Sequence, residues 1–146
     1  MTFPAWTHLD SRIERLVAQH GELSCSPELV FDGQDWVHIT ACARLWNPQR
    51  AHFVQVRSAK NQKWQLPGAH GEGNFDLKSV ALREAKRALG LSPDVQLCGG
   101  EAVEVLNQQV EEYWNTPAHL HLEVVFEFYT EKSDELPPDA RWLAVN

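Results

Sequence analysis

The stretch of sequence that decides the fold is residues 66–91, LPGAHGEGNFDLKSVALREAKRALGL. Proline cannot donate a hydrogen bond to a sheet ladder, so Pro67 must end the short strand that precedes it. A glycine-rich loop, Ala69 to Asn74, follows. From Leu77 to Leu89 the apolar residues recur at helical spacing, and Gly90 is placed to close the helix with positive φ. The stretch therefore predicts a strand end, a loop and an amphipathic helix in succession.

The sequence on either side of this stretch is mostly typical of strands. Alternating or continuous apolar runs predict strands at Val37–Trp46, His52–Val56, Lys63–Leu66, Val95–Leu97, Ala102–Leu106, His119–Thr130 and Arg141–Val145. A second amphipathic helix is predicted from Leu9 to His20, with Asp10 or Ser11 as its N-cap and Gly21 at its end. Strands on both sides of one isolated helix indicate an α/β protein of the α+β type or an α/β/α sandwich, with a mixed sheet.

Length and composition limit the class of protein. The chain has 146 residues, which fits one globular domain spanning 1–146, with an N-terminal helical extension at about 1–35. Its 43% hydrophobic residues are ordinary for a globular protein, so intrinsic disorder is excluded. A net charge of −7 argues against the basic surface that a nucleic acid polymer requires.

Cysteine usage and the N-terminus indicate a reduced, cytoplasmic setting. The three cysteines, Cys25, Cys42 and Cys98, are odd in number and include no Cys-x-x-Cys pair, so neither a disulfide scaffold nor a zinc ribbon is expected. The first residues lack the basic start and apolar run of a secretory signal. Since no segment approaches the ~20 apolar residues that span a bilayer, no membrane association is predicted.

Residues 66–91 resemble the signature box of the Nudix hydrolases. In that family a glycine and a glutamate precede the pattern Arg-Glu-apolar-x-Glu-Glu-x-Gly-apolar on a loop–helix–loop, and here Arg83-Glu84 and Gly90-Leu91 stand at matching positions. The strand from Val37 and the run 118–126 are similar to the family's flanking strands. The resemblance implies a MutT-like fold, an α/β/α sandwich with a mixed sheet. It also implies metal-dependent hydrolysis of nucleoside-diphosphate-linked substrates.

The box is degenerate. Ala69 replaces its glycine, Phe75 replaces the upstream glutamate, and Arg87 and Ala88 replace the paired glutamates, so only Glu84 remains in place. Residues at i, i+3 and i+4 share one helical face. The formal charges of Glu84, Arg87 and Ala88 are −1, +1 and 0, which sum to zero, whereas three glutamates would give −3. We therefore expect the metal-dependent reaction to be lost or impaired.

An active phosphoanhydride hydrolase with rearranged ligands is the alternative. By the resemblance, Glu84 would then be a catalytic carboxylate and a metal ligand. Glu72 and Asp76 are oxygen donors within reach of the same loop–helix junction, so Glu72 could act with Glu84 in catalysis, and both could help Glu84 to hold Mg²⁺ or Mn²⁺, which prefer oxygen ligands. Asp76 directly precedes Leu77, however, and is also placed to cap the helix, which is the interpretation we favour. If the site has lost its metal, no cofactor is required.

A non-catalytic regulatory module that binds a small nucleotide-like phosphate ligand is a further possibility. A guanidinium group binds phosphate in a fork, so Arg83 or Arg87 could meet a phosphate without metal, although a solvated charged face is the simpler interpretation. Trp64 and Trp114 are candidates to stack on a base, against ordinary packing. The helix Leu9–His20 could instead dock on a partner or on a second copy in a homodimer.

Histidines form a separate group of candidates. His119 and His121 lie two residues apart on a predicted strand and hence on one face, which Glu123 continues. Imidazole suits transition metals, but ordinary strand residues near the mouth of a pocket are the simpler interpretation. For His70, in the glycine-rich loop, we predict hydrogen bonding within the loop.

Overall fold

In a computed structural model, residues 3–91, 96–131 and 135–145 are described. Two short 3-10 helices, Ala5–His8 and Gly21–Cys25, flank the first α-helix. The α-helices are α1, Ser11–His20, and α2, Leu77–Ala88. The strands are β1 Val30–Phe31, β2 Trp36–Trp46, β3 His52–Arg57, β4 Trp64–Gln65, β5 Gly68–His70, β6 Cys98–Val110, β7 His119–Tyr129 and β8 Ala140–Ala144.

The strands of the described residues form one mixed sheet. Its main order is β4-β3-β2-β7-β6, while β1 and β5 also pair with β2, and β8 pairs with β3. The central pair, β2 and β7, is parallel from Val37↔Leu120 to Trp46↔Tyr129, and the other pairs are antiparallel. The predicted fold class, α+β with a mixed sheet, is confirmed.

The main core lies between the sheet and the helices. Alternate residues of β2 from Val37 to Leu45 are at most 1% exposed and belong to one apolar cluster with the buried side chains of β7, α2 and α1. The opposite face of β2 is also buried, because His38 is only 2% exposed and Thr40 only 4%. Burial on both faces departs from the one-sided strand that the alternation predicts. The cause is the packing of other histidine rings against His38.

The N-terminal helix begins later than predicted. The Asp10 side chain accepts hydrogen bonds from the backbone amides of Arg12 and Ile13, so the helix starts at Ser11, and Leu9 lies outside it with 41% of its surface exposed. Gly21 ends the helix at φ 57, as predicted. The apolar stripe of α1 is already buried in the chain's own core.

Two stretches of strand lie outside the predicted strands. β6 extends through Val110, four residues beyond the predicted strand end at Leu106, and these four residues pair with β7. Gly68–His70 forms β5 against β2. At Gly68 the two backbones are so close that a Cβ would lie 2.6 Å from the Ala41 carbonyl oxygen. Glycine therefore permits this close pairing.

Smaller differences concern the ends of elements. The predicted strand 95–97 falls partly outside the described residues, and Gln96 and Leu97 precede β6 without belonging to it.

Among the described residues, none of the helices is long and apolar enough to cross a membrane.

Candidate functional site

Asp76 caps α2, as its position before Leu77 predicts. Its Oδ1 accepts from the Ser79 backbone amide at 3.2 Å, and its Oδ2 accepts from the Ser79 hydroxyl at 2.7 Å. Both carboxylate oxygens are therefore engaged at the first turn of the helix. The role of Asp76 as a metal ligand stays a prediction.

Replacing the cap tests this assignment. We expect Asp76→Ala to lower the free energy of unfolding by about 1 kcal/mol, since a helix N-cap typically contributes that much. Asp76→Asn should retain most of the stability, because an amide oxygen also caps. Urea unfolding followed by circular dichroism measures both variants. Equal destabilisation by the alanine and asparagine variants would contradict the capping role.

Glu84 lies at the centre of a chain of ion pairs that links α2 to the loop before it. Only 12% of its side chain is exposed, and its Oε1 lies 3.2 Å from Arg87 Nη1 while its Oε2 lies 3.4 Å from Arg83 Nε. Arg83 Nη1 also lies 2.7 Å from Glu72 Oε1. The hydrogen bond to Glu72, and then the one to Glu84, raises the pKa of Arg83.

The four residues of this network carry no net charge, since two carboxylates face two guanidinium groups. The i, i+3 spacing predicted that Arg87 could pair with Glu84, and the structure places them in contact. The contact between Arg83 and Glu72 could not be predicted from helical spacing, because Glu72 lies in the loop before the helix. Each oxygen of Glu84 already faces a cation.

A cleft of about 190 Å³ opens beside the last turn of α2. Glu84 and Arg87 line it from the helix, Arg57 from the end of β3, and Asp139 from the residue before β8. Arg57 Nη2 lies 2.7 Å from Asp139 Oδ1. Two guanidinium groups thus reach the cleft from different elements, and each is paired with a carboxylate. The pairing leaves the cleft close to neutral.

Solved structures with this architecture include a MutT protein from Methanosarcina mazei Go1. It superimposes with a TM-score of 0.56 at 20% identity, over 74% of this chain and 77% of that chain. The chain has the Nudix fold. A C. elegans Ap4A hydrolase, solved as a binary complex, gives a TM-score of 0.56 at 15% identity, over 73% of this chain and 79% of that chain. The E. coli dihydroneopterin triphosphate pyrophosphohydrolase gives a TM-score of 0.56 at 10% identity, over 73% of this chain and 80% of that chain.

These similarities concern the fold. No protein-family model matches the sequence, and no curated protein matches it. Because one fold supports many functions, what the site of this Nudix-fold protein does has to be argued from its own side chains.

The two tryptophans proposed for base stacking lie in different parts of the Nudix fold. Trp64 is half-buried on β4, where Arg141 lies over its ring at 4.2 Å and Arg57 at 5.7 Å. Trp114 is 83% exposed at φ 52 in the connection between β6 and β7, with its ring against Tyr113. Trp64 and the cleft therefore have Arg57 in common, whereas the stacking role of Trp114 stays a prediction.

Four histidines meet on the face of the sheet opposite the apolar core. His119 and His121 lie on one face of β7, as predicted, with their Nε2 atoms 3.1 Å apart. His38 of β2 and His70 of β5 join them, and the His38 ring centroid lies 4.7 Å from those of both His70 and His121. His70 thus packs in a ring cluster, in addition to any hydrogen bonding of its loop.

Burial keeps these rings neutral. Burial first, and then the neighbouring histidines, lowers the pKa of His38 to about 4 and that of His121 to about 3. The pKa of His70 is also lowered, by burial and then by His119 and Lys60. At neutral pH the three imidazoles therefore present unprotonated nitrogens. Sequence patterns could not reveal this cluster, because it depends on the pairing of β2 with both β5 and β7.

Proposed function

We propose that this Nudix-fold protein has lost metal-dependent hydrolysis of nucleoside-diphosphate-linked substrates at α2, and that its cleft binds a small phosphate-bearing, nucleotide-like ligand without a divalent ion. The observation that supports this most directly is the environment of Glu84. It is the only box glutamate left in place, and both of its oxygens face guanidinium groups.

The residues present do not fit a Mg²⁺ or Mn²⁺ site of the kind that the resemblance implies. A divalent ion at Glu84 would have to displace Arg83 and Arg87, and Glu72 is itself paired with Arg83. Asp76 lies eight positions before Glu84, which corresponds to about 12 Å along a helix at 1.5 Å per residue. To hold an ion, Asp76 would also have to give up its hydrogen bonds to Ser79 at the start of α2.

Phosphate binding is supported by the two arginines of the cleft. Arg57 and Arg87 approach it from β3 and α2, and each guanidinium can hold phosphate oxygens in a two-pronged hydrogen bond. A phosphate would replace Asp139 and Glu84 as their partner. Trp64, which contacts Arg57, is the residue we propose to stack on an adjoining base or ring. Because 70% of the Arg87 side chain is exposed, the competing interpretation is a solvated surface charge without a ligand.

The proposed partner is a small molecule rather than a nucleic acid polymer or a membrane, which agrees with the net charge of −7. The homodimer and the cytoplasmic location stay predictions.

Titration with ADP and with pyrophosphate, in the presence of a chelator, tests the binding. We expect Arg87→Ala to weaken ADP binding roughly tenfold to a hundredfold, since a hydrogen bond to a charged group contributes about 1.5–3 kcal/mol. Arg15→Ala, which removes an exposed arginine of α1, is the matched control and should bind as the wild type does. Equal affinity in Arg87→Ala would remove Arg87 from the proposal.

Metal titration and turnover test the loss of hydrolysis. Calorimetry with Mg²⁺ and Mn²⁺ should detect no tight site, and assays with nucleoside diphosphate sugars, dinucleoside polyphosphates and coenzymes should match the background of a Glu72→Gln/Glu84→Gln variant. Sub-millimolar binding of Mg²⁺ that disappears in Glu84→Gln, or turnover above that background, would contradict the proposal.

A further inference from the structure

We propose that His38, His70 and His121 form a binding site for one divalent transition-metal ion, with Zn²⁺ as the expected occupant. Each residue offers one ligand nitrogen, and these nitrogens all lie within 4.8 Å of one another. The three residues come from adjacent strands, β2, β5 and β7, so a bound ion would link the centre of the sheet. This site is separate from Glu84 and from the cleft beside α2.

His38 is already oriented as a ligand. We assign its proton to Nδ1, which donates to the carbonyl oxygen of Pro27 at 3.2 Å, so that Nε2 carries a free lone pair. This Nε2 is buried and has no hydrogen-bond partner among the described residues. A histidine that binds metal typically donates its other ring N–H to a carbonyl or carboxylate in this way.

A second unpartnered atom lies on the same face of β2. Thr40 Oγ1 is buried without a hydrogen-bond partner in the described part of the chain. Thr40 pairs with His70 on one side and with Glu123 on the other. Buried polar atoms are normally satisfied, so two unpartnered atoms on one face of β2 indicate a polar occupant at this face.

His119 and Glu123 are placed to support His121. The Nδ1–H of His119 donates to the carbonyl oxygen of Pro117 at 2.9 Å, so the Nε2 of His119 accepts from His121 across 3.1 Å when no ion is bound. Glu123 Oε1 lies 4.0 Å from His121 Nδ1. Moving the His121 proton to Nδ1 would direct it to Glu123 and free Nε2 for an ion, which is the carboxylate–histidine–metal arrangement of many zinc sites.

The chemistry of the group selects the ion. Neutral imidazole suits Zn²⁺ and similar ions, whereas Mg²⁺ prefers oxygen ligands. At a zinc–nitrogen bond of about 2.0–2.1 Å, two ligands of a tetrahedral ion lie about 3.3–3.4 Å apart. Side-chain rotation must therefore bring the nitrogens, which now lie within 4.8 Å of one another, up to about 1.5 Å closer. His70 is exposed, which gives the ion a route from solvent and leaves a fourth position for water. Lys60 opposes the added charge of the ion, and Glu123 offsets it.

Titration of the full chain with Co²⁺ and Zn²⁺ tests the site. We expect one Co²⁺ per chain with the visible absorption of a tetrahedral complex, its displacement by Zn²⁺, and a rise in Tm with Zn²⁺ but not with Mg²⁺. Since Cys98 is an exposed thiol, the measurements use a Cys98→Ser background. His70→Ala should weaken Zn²⁺ binding at least about tenfold, since even the outer-shell partners of metal ligands account for 10–100-fold in affinity.

Three further variants make the result specific. His8→Ala, which removes an exposed histidine near α1, and Glu84→Gln, at the other site, should each bind Zn²⁺ as the background protein does. His70→Cys should restore binding and add a sulfur-to-cobalt charge-transfer band. An unchanged Tm of metal-free His70→Ala would show that the fold is intact. Zn²⁺ affinity that is equal in His70→Ala and the background protein, or the absence of a tetrahedral Co²⁺ spectrum, would overturn the proposal.

Discussion

Through His38 and His121 alone, lowering the pH from 7 to 5 should lower the free energy of unfolding of the metal-free protein by about 4 kcal/mol. The pKa of His38 is about 4 and that of His121 about 3 in the folded chain, because burial and the adjacent histidines disfavour their charged forms. An unfolded histidine has a pKa near 6.5, so between pH 6.5 and 4 the unfolded chain binds protons that the folded chain does not. At pH 5 each residue contributes about 2 kcal/mol to this loss, at 1.36 kcal/mol per pKa unit.

The sign of this pH dependence follows from the linkage between proton binding and unfolding. The contribution of the neutral His38 and His121 to the free energy of unfolding is fully present above pH 6.5. It falls as the pH is lowered toward their pKa values in the folded chain, since the unfolded state binds more protons. Burial raises the pKa of Glu123 beside His121, so protonation of Glu123 in the folded chain works in the opposite direction and reduces the net loss. The positive charge of Lys60 adds repulsion to a protonated cluster.

Urea unfolding with a chelator at pH 5, 6 and 7 measures this dependence. His121→Asn removes one titrating ring while keeping a polar side chain, and it should lose about half of the pH dependence. His8→Ala is the matched control, because His8 is exposed and outside the cluster. A pH dependence that is the same in His121→Asn and in the unsubstituted chain would contradict the role of the cluster.

The features within residues 66–91 were the most predictable from sequence. The periodicity of α2, the cap at Asp76 and the positive φ of Gly90, 69°, depend on contacts within a few residues, and all three are observed. The end of β6 was not predictable in the same way. Its last residues are polar because they lie exposed at the edge of the sheet, and only their backbone pairing with β7 makes them a strand.

In the candidate sites too, contacts between residues close in sequence were predictable and contacts between distant strands were not. The contact of Glu84 with Arg87 follows from helical spacing, and the shared face of His119 and His121 follows from strand alternation. His38 and His70 join that face only through the register of three strands that are distant in sequence. A histidine at the buried position His38, next to the polar Thr40, is the one local signal that marks the opposite face of β2 as polar.

Gly71→Ala should destabilise the protein by about 3 kcal/mol, at the upper end of the usual cost of overpacking. A Cβ at Gly71 would overlap the backbone carbonyl oxygen of Cys25 and lie 2.9 Å from its carbonyl carbon, and Leu77 Cδ2 would lie 3.1 Å away. The Cys25 carbonyl also accepts from the Gly73 amide at 2.9 Å. The substitution would thus separate the loop before α2 from the segment after α1.

Unfolding in urea, followed by tryptophan fluorescence, measures this cost, since Trp6 donates its indole N–H to the Phe75 carbonyl oxygen at the same junction. Gly33→Ala is the control, because a Cβ there meets nothing within 4 Å and only the φ of +98° is unfavourable, at a cost of about 1 kcal/mol. If Gly71→Ala is no less stable than Gly33→Ala, backbone contact with Cys25 does not hold the loop. If it is less stable by the expected margin, close packing of Gly71 against Cys25 positions both Glu72 and the first turn of α2.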